Sequence, residues 1–137
     1  MSISIIIPVK NEEQIIIKTL KKFEESWIVE VEHEILIIND NSNDKTVDLI
    51  ENTKFEKLNI IFKNNPKIGL GSAITIAIDN SSKEFVSIYM ADMSDSLEDL
   101  KIYYETIKKN NLLDAIFGSR FIKNAKVVNY PKFKFFI

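Results

Sequence analysis

The chain has 137 residues, 45% of them hydrophobic and 28% charged, with no cysteine, one histidine, three glycines and three prolines. This excludes a disulfide scaffold, a collagen-like or low-complexity chain and a cysteine-ligated zinc site, and predicts one globular domain over residues 1–137 with its own core. The formal net charge of −2 argues against a general nucleic-acid binder, although residues 1–114 carry −7 and residues 115–137 carry +5.

Ser2 to Pro8 is a nearly continuous Ile-rich run, the pattern of a strand buried on both faces in the middle of a sheet. From Asn11, read as a helix cap with Glu12 and Glu13 in the first turn, Ile15, Ile16, Thr19, Leu20 and Phe23 recur at helical spacing. Glu34 to Ile38 repeats the buried-strand pattern and ends in the polar cluster Asn39 to Asn43, ahead of a helix over about 44–53. Leu58 to Phe62 is a third strand, and Gly69 to Asp79 a helix opened by small residues. Phe85 to Met90 is a fourth strand, Leu97 to Lys109 a fourth helix and Asp114 to Gly118 a fifth strand.

Strict alternation with short connections predicts an α/β fold of three layers, α/β/α, around a mostly parallel Rossmann-like sheet. In such sheets the ligand sits outside the carboxyl ends of the strands, where strand order reverses. Two acidic clusters stand there: Asp40 with Asp44 after the second strand, and Asp92 with Asp95 after the fourth. Carboxylates at strand ends suit a hard divalent cation, which in turn neutralises a diphosphate. Asp44 and Asp95 also read as simple helix caps, whereas Asp40 and Asp92 directly follow buried strands, where an unpaired carboxylate is costly.

Gly69-Leu70-Gly71-Ser72-Ala73 lacks the Gly-Lys-Ser/Thr ending of a P-loop and follows the wrong strand for a dinucleotide fingerprint, so it reads as a helix entrance open to close backbone approach. His33 falls at the rim opposite the ligand side, and one histidine without cysteine assembles neither a zinc site nor a Ser-His-Asp triad in the usual way. Residues 121–137 form a basic, aromatic tail whose composition suits an anionic membrane surface or a phosphate, and the apolar end Tyr130 to Ile137 suggests a homo-oligomer or a membrane contact. No stretch approaches the roughly 20 apolar residues of a spanning helix and no basic segment precedes the first apolar run, so the expected location is cytoplasmic, peripheral on the inner face of a membrane.

In order, Ile7-Pro8-Val9-Lys10-Asn11-Glu12-Glu13, Asn39-Asp40-Asn41-Ser42-Asn43-Asp44-Lys45-Thr46, Asn65-Pro66-Lys67-Ile68-Gly69-Leu70-Gly71-Ser72-Ala73, Met90-Ala91-Asp92 and Gly118-Ser119-Arg120-Phe121 resemble the motifs of the inverting family 2 glycosyltransferases of GT-A fold. The branch most similar moves sugars onto dolichyl or polyprenyl phosphate. The resemblance covers nearly the whole chain but only the donor-binding half of such an enzyme, so the chain reads as truncated.

The resemblance implies a nucleotide-diphosphate sugar as donor, with Mg²⁺ or Mn²⁺, and a lipid phosphate as acceptor at a membrane surface. It implies that Pro8, Val9, Lys10, Glu12, Asp40, Gly69, Gly71, Ala91, Asp92 and Arg120 bind the nucleotide-sugar, that Asp92 and Asp95 hold the metal, and that Asp92 and Arg120 stabilise the leaving diphosphate. Three positions depart from the pattern: Met90 replaces the first Asp of Asp-x-Asp, Lys10 the usual Tyr, and Asn39 the first Asp of the second cluster. Met90 and the short chain favour, as the alternative, an impaired or truncated domain kept as a nucleotide-sugar-binding or interaction module. A sugar nucleotidyltransferase is disfavoured because no Gly-rich basic loop follows the first strand.

Overall fold

The computed structural model describes residues 1–110 and 112–119. Within them, strands and helices alternate as β1 (Ser2–Val9), α1 (Ile16–Glu24), β2 (Glu32–Asn39), α2 (Thr46–Asn52), β3 (Ile60–Asn64), α3 (Leu70–Asn80), β4 (Phe85–Ile88) and α4 (Leu97–Lys109). A short 3-10 turn at Trp27–Glu30, which the sequence pattern had not suggested, joins α1 to β2 and buries Ile28.

The strands form one parallel sheet in the order β3-β2-β1-β4. β1 is central because every side chain from Ile3 to Val9 can be buried, and the pleat of the strand points alternate side chains to opposite faces. Ile3, Ile5, Ile7 and Val9 meet Ile16, Leu20 and Phe23 of α1, Ile50 of α2, and Leu100 and Tyr104 of α4. Ile6, with Leu36 and Ile38 of β2, meets Ala73 and Ala77 of α3 on the other face. The expected three layers are therefore present, with α1, α2 and α4 on one side and α3 on the other. Each fully buried Ile contributes about 1.5–3 kcal/mol, so the Ile-rich strands supply much of the driving force.

At the amino-terminal rim, Glu34 is almost completely buried. It accepts from Ser4 Oγ and Ser82 N, both at 2.6 Å, and from Ser82 Oγ at 2.7 Å. Burial pushes its carboxyl up, but the Ser4 and Ser82 hydrogen bonds together outweigh that and hold it below the usual range. The entrance to β4 is thereby tied to β1 and β2.

Two sequence expectations need correction. Asp114–Gly118 forms no strand: its side chains are mostly exposed, Phe117 at 89%. A Cβ at Gly118 would collide with the Tyr103 hydroxyl, which places this segment against α4 rather than in the sheet. Asn11 does not cap α1, which starts only at Ile16 and has no acidic residue in its first turn. Asn11 instead takes a left-handed φ of 57° and spends its polar groups on the loop after β2.

Candidate functional site

β2 and β3 lie on one side of β1 and β4 on the other, so strand order reverses at β1. The crevice expected at such a switch point lies between the loops that follow β1 and β4. The parallel register sets Val9 beside Asn39 and Asn39 beside Asn64, which brings the loops after β1, β2 and β3 to the same rim.

Asp40 is the anchor of that rim. It is 5% exposed, and its N–H donates to Val9 O at 2.8 Å, extending the β1–β2 pairing by one residue. Its Oδ1 accepts from Gly69 N and from Asn65 Nδ2, each at 2.8 Å. Its Oδ2 lies 3.7 Å from Lys10 Nζ. The Gly69 N–H above all, helped by Asn65 and Lys10, holds the Asp40 carboxyl below its usual range against the opposing effect of burial. Asp40 is therefore a fixed anion at neutral pH, with one oxygen saturated and the other facing a half-exposed lysine.

Gly69 delivers its N–H from a φ of +114°, a conformation that strains any other residue. Asn65, 3% exposed, is fully used. It also donates to Gly69 O at 3.3 Å and accepts from Lys67 N at 3.1 Å and Ser72 Oγ at 2.9 Å. Sequence reasoning placed Asn65 in a motif without giving it a role. Its signal was a polar pair, Asn64-Asn65, ending a strand before proline.

The loops after β1 and β2 are bound to each other by five hydrogen bonds. Asn11 N donates to Ser42 Oγ at 3.0 Å, Glu12 N to Thr46 Oγ1 at 2.7 Å and Glu13 N to Asp44 Oδ2 at 3.2 Å. In return, Asn43 N donates to Asn11 Oδ1 and Lys45 N to Glu13 Oε2, both at 2.9 Å. Asp44 also accepts from Thr46 N at 2.9 Å, so it does serve the entrance of α2. Most polar residues of these two motifs are thus occupied in holding the loops together.

The Glu12 side chain, partly buried, stays out of that lacing. Burial, then the charges of Asp92 and Asp44, push its carboxyl above the usual range. Glu12, Asp44 and Asp92 therefore share one field across the rim.

After β4 the chain makes a tight turn. Met90 N donates to Asp95 Oδ2 at 2.8 Å, Ser94 N to Asp92 Oδ1 at 2.9 Å and Met93 N to Met90 O at 3.2 Å. Met93 sits at φ 58°. Tyr89, its hydroxyl pushed up to about 12 mainly by burial, stays protonated and donates to Asp95 O at 2.8 Å. Asp95 thus closes the turn, while Ser96 Oγ caps α4 by accepting from Asp99 N at 3.2 Å.

Asp92 is exposed on the rim. Pro8, Val9 and Ala91 are buried in the sheet and its edge, the last two as core side chains, so they bring backbone to the site. A Cβ at Gly71 would meet nothing within 4 Å, leaving open space beside Gly69. His33 is the second residue of β2, at the opposite rim. Arg120 and the tail 121–137 lie outside the described residues.

Among the described residues, no group of three or more acidic or histidine side chains is arranged to hold a metal alone. The donor set still fits Mg²⁺, which is commonly held by one or two carboxylates together with substrate phosphates. Each has one oxygen committed, Asp92 to Ser94 N and Asp95 to Met90 N, and Asp92 is the more exposed of the two.

Comparison with known proteins identifies the family and the fold. The model of the family described as glycosyl transferase family 2 matches residues 4–136. This chain belongs to that family. A dolichol-phosphate mannosyltransferase of Pyrococcus furiosus is 25% identical over 98% of this chain and 37% of its own length. A dolichyl-phosphate β-glucosyltransferase of Trichomonas vaginalis is 31% identical over 97% of this chain and 44% of its own. The crystal structure of S. aureus TarS 1-349 in complex with UDP-GlcNAc superposes with a TM-score of 0.69 at 26% identity, covering 81% of this chain and 32% of that one. The chain thus spans less than half the length of these relatives, and its fold is that of GT-A glycosyltransferases.

Proposed function

We propose that this chain is the donor-binding part of a family 2 glycosyltransferase, taking a nucleoside diphosphate-sugar at the rim between β1 and β4. The observation that carries this is Asp40: a buried carboxylate, fixed by Gly69 and Asn65 through one oxygen, with the other turned to the rim. Such a group accepts a hydrogen bond from the N–H of a base or the hydroxyl of a ribose. Gly69 and Gly71 leave room for the ligand beside it.

Asp92, with Asp95 as the weaker candidate, would hold Mg²⁺ or Mn²⁺, which supplies charge stabilisation to the departing nucleoside diphosphate. The rim itself is acidic, so Asp92, Glu12 and Asp44 raise the value of any cation placed among them. Arg120 is the further residue expected to face phosphate charge.

For the acceptor, a polyprenyl phosphate is favoured by the two dolichyl-phosphate transferases among the relatives and by the basic, aromatic composition of residues 115–137. Such a phosphate is already ionised near neutral pH and needs little help from a general base. Among the described residues no helix is long and apolar enough to cross a membrane, and the reading is of a peripheral association with the membrane that carries the acceptor.

Calorimetry with a panel of uridine and guanosine diphosphate-sugars tests this reading. Binding that needs Mg²⁺ or Mn²⁺ and is lost in Asp92→Ala is expected; a panel without binding overturns it. The second reading, an impaired nucleotide-binding module, rests on Met90 standing where a metal-ligating carboxylate belongs.

A further inference from the structure

Lys10 has no partner role in the motif lacing, yet it is placed at the centre of the rim. It follows Val9, whose carbonyl receives the Asp40 N–H, so the backbones of Lys10 and Asp40 run side by side. Its ammonium is 3.7 Å from Asp40 Oδ2, beyond hydrogen-bonding distance, and the side chain is 52% exposed. Lys10 is therefore held by charge alone, whereas Asp40 is also fixed by Gly69 and Asn65. The two partners are unequal: Asp40 stays, and Lys10 is free to leave.

The surroundings are otherwise anionic, since Glu12, Asp44 and Asp92 share the same field. Lys10–Asp40 is the ion pair that the described residues form at this rim. An incoming polyanion meets repulsion from the carboxylates unless a cation accompanies or awaits it.

We propose that Lys10 is a specificity-determining residue that exchanges Asp40 for the phosphates of the bound nucleotide, so that the site selects nucleoside diphosphates over uncharged nucleosides. This rests on the donor-site reading above. In the free protein Lys10 covers the open oxygen of Asp40. Ligand binding gives that oxygen a donor from the nucleoside and frees the ammonium, which then swings on its flexible stem toward the added negative charge. The exchange leaves the ammonium paired with phosphate and the Asp40 oxygen hydrogen-bonded to a neutral donor.

The test is isothermal titration of UDP, GDP and the corresponding nucleosides, with Mg²⁺ present throughout, into the unsubstituted chain, Lys10→Met and Lys10→Arg. Lys10→Met is expected to weaken the preferred diphosphate about tenfold, the effect of one charge-assisted hydrogen bond. The matching nucleoside should not weaken, since its Asp40 acceptor is then uncovered; Lys10→Arg should retain most diphosphate affinity, and the gap between variants should narrow in high salt. Equal losses for nucleoside and diphosphate would overturn the exchange while leaving the donor site standing, as would no loss for either. Failure of the unsubstituted chain to bind any diphosphate would remove the donor site itself, and the exchange with it. Lys10 is exposed, so unchanged circular dichroism is expected in both variants.

Discussion

The side-chain amide of Asn65 donates to Asp40 Oδ1 at 2.8 Å, and both side chains are within 5% of complete burial. The pair joins the end of β3 to the end of β2 and fixes the carboxylate on which the candidate site is built. The Asn65 side chain makes four hydrogen bonds, to Asp40, Gly69, Lys67 and Ser72, so no isostere replaces it.

Asn65→Leu should therefore destabilise the fold by about 1–3 kcal/mol, because Ser72 and Lys67 lose an acceptor and Asp40 a donor. Urea denaturation measures the loss. An unchanged midpoint would mean that the amide is dispensable.

Acid should weaken the fold through two carboxyls. Those of Asp40 and Glu34 both lie below their usual values, Asp40 through Gly69 above all and Glu34 through Ser4 and Ser82 against burial. Each therefore stabilises the fold fully above its unfolded value of about 4, and that contribution is lost as pH falls through the lowered folded value. The urea midpoints at about pH 7 and about pH 3 should differ less in Glu34→Gln than in the unsubstituted chain. Equal differences would show that Glu34 titrates as it does unfolded.

Met93, at φ 58°, occupies the left-handed region without the side chain that usually tolerates it. Met93→Asn should match or exceed the parent in melting temperature, whereas β-branched Met93→Val should lose about 1–2 kcal/mol. The reverse order would indicate that Met93 packing dominates the turn.

Met90→Asp restores the carboxylate expected two positions before Asp92. Because Met90 contributes its N–H to Asp95, that hydrogen bond is retained. A gain in Mg²⁺-dependent donor affinity, read by calorimetry, is the outcome expected of an enzyme site. Identical affinity would favour the binding-module reading.

The alternation of elements was legible because the Ile-rich runs of β1 and β2 and the helical spacing of α1 and α4 are long and consistent. The strand expected at Asp114–Gly118 rested on three apolar residues, Ala115 to Phe117, too few to separate a strand from an apolar loop lying on α4. Asp40 was legible as a polar residue directly after a buried strand. The work of Asn11 and Glu13 and the Asn65–Asp40 bond were not, because those partners sit 25 to 32 positions away in sequence and only the parallel register brings them together. Asp95 was read as a cap or a metal ligand; its hydrogen bond to Met90 N depends on a turn that no sequence pattern specifies.

The reciprocal bonding of the loops after β1 and β2 makes them a single mechanical part, although 31 to 34 positions separate the bonded residues. Neither can be transplanted alone: grafting the Asn11–Glu13 stretch into another scaffold strands three backbone donors, and a chimera retains the rim only when the Ser42–Thr46 stretch travels with it. Substitutions tolerated in one loop should consequently be found by selecting compensating changes in the other, rather than by varying either in isolation.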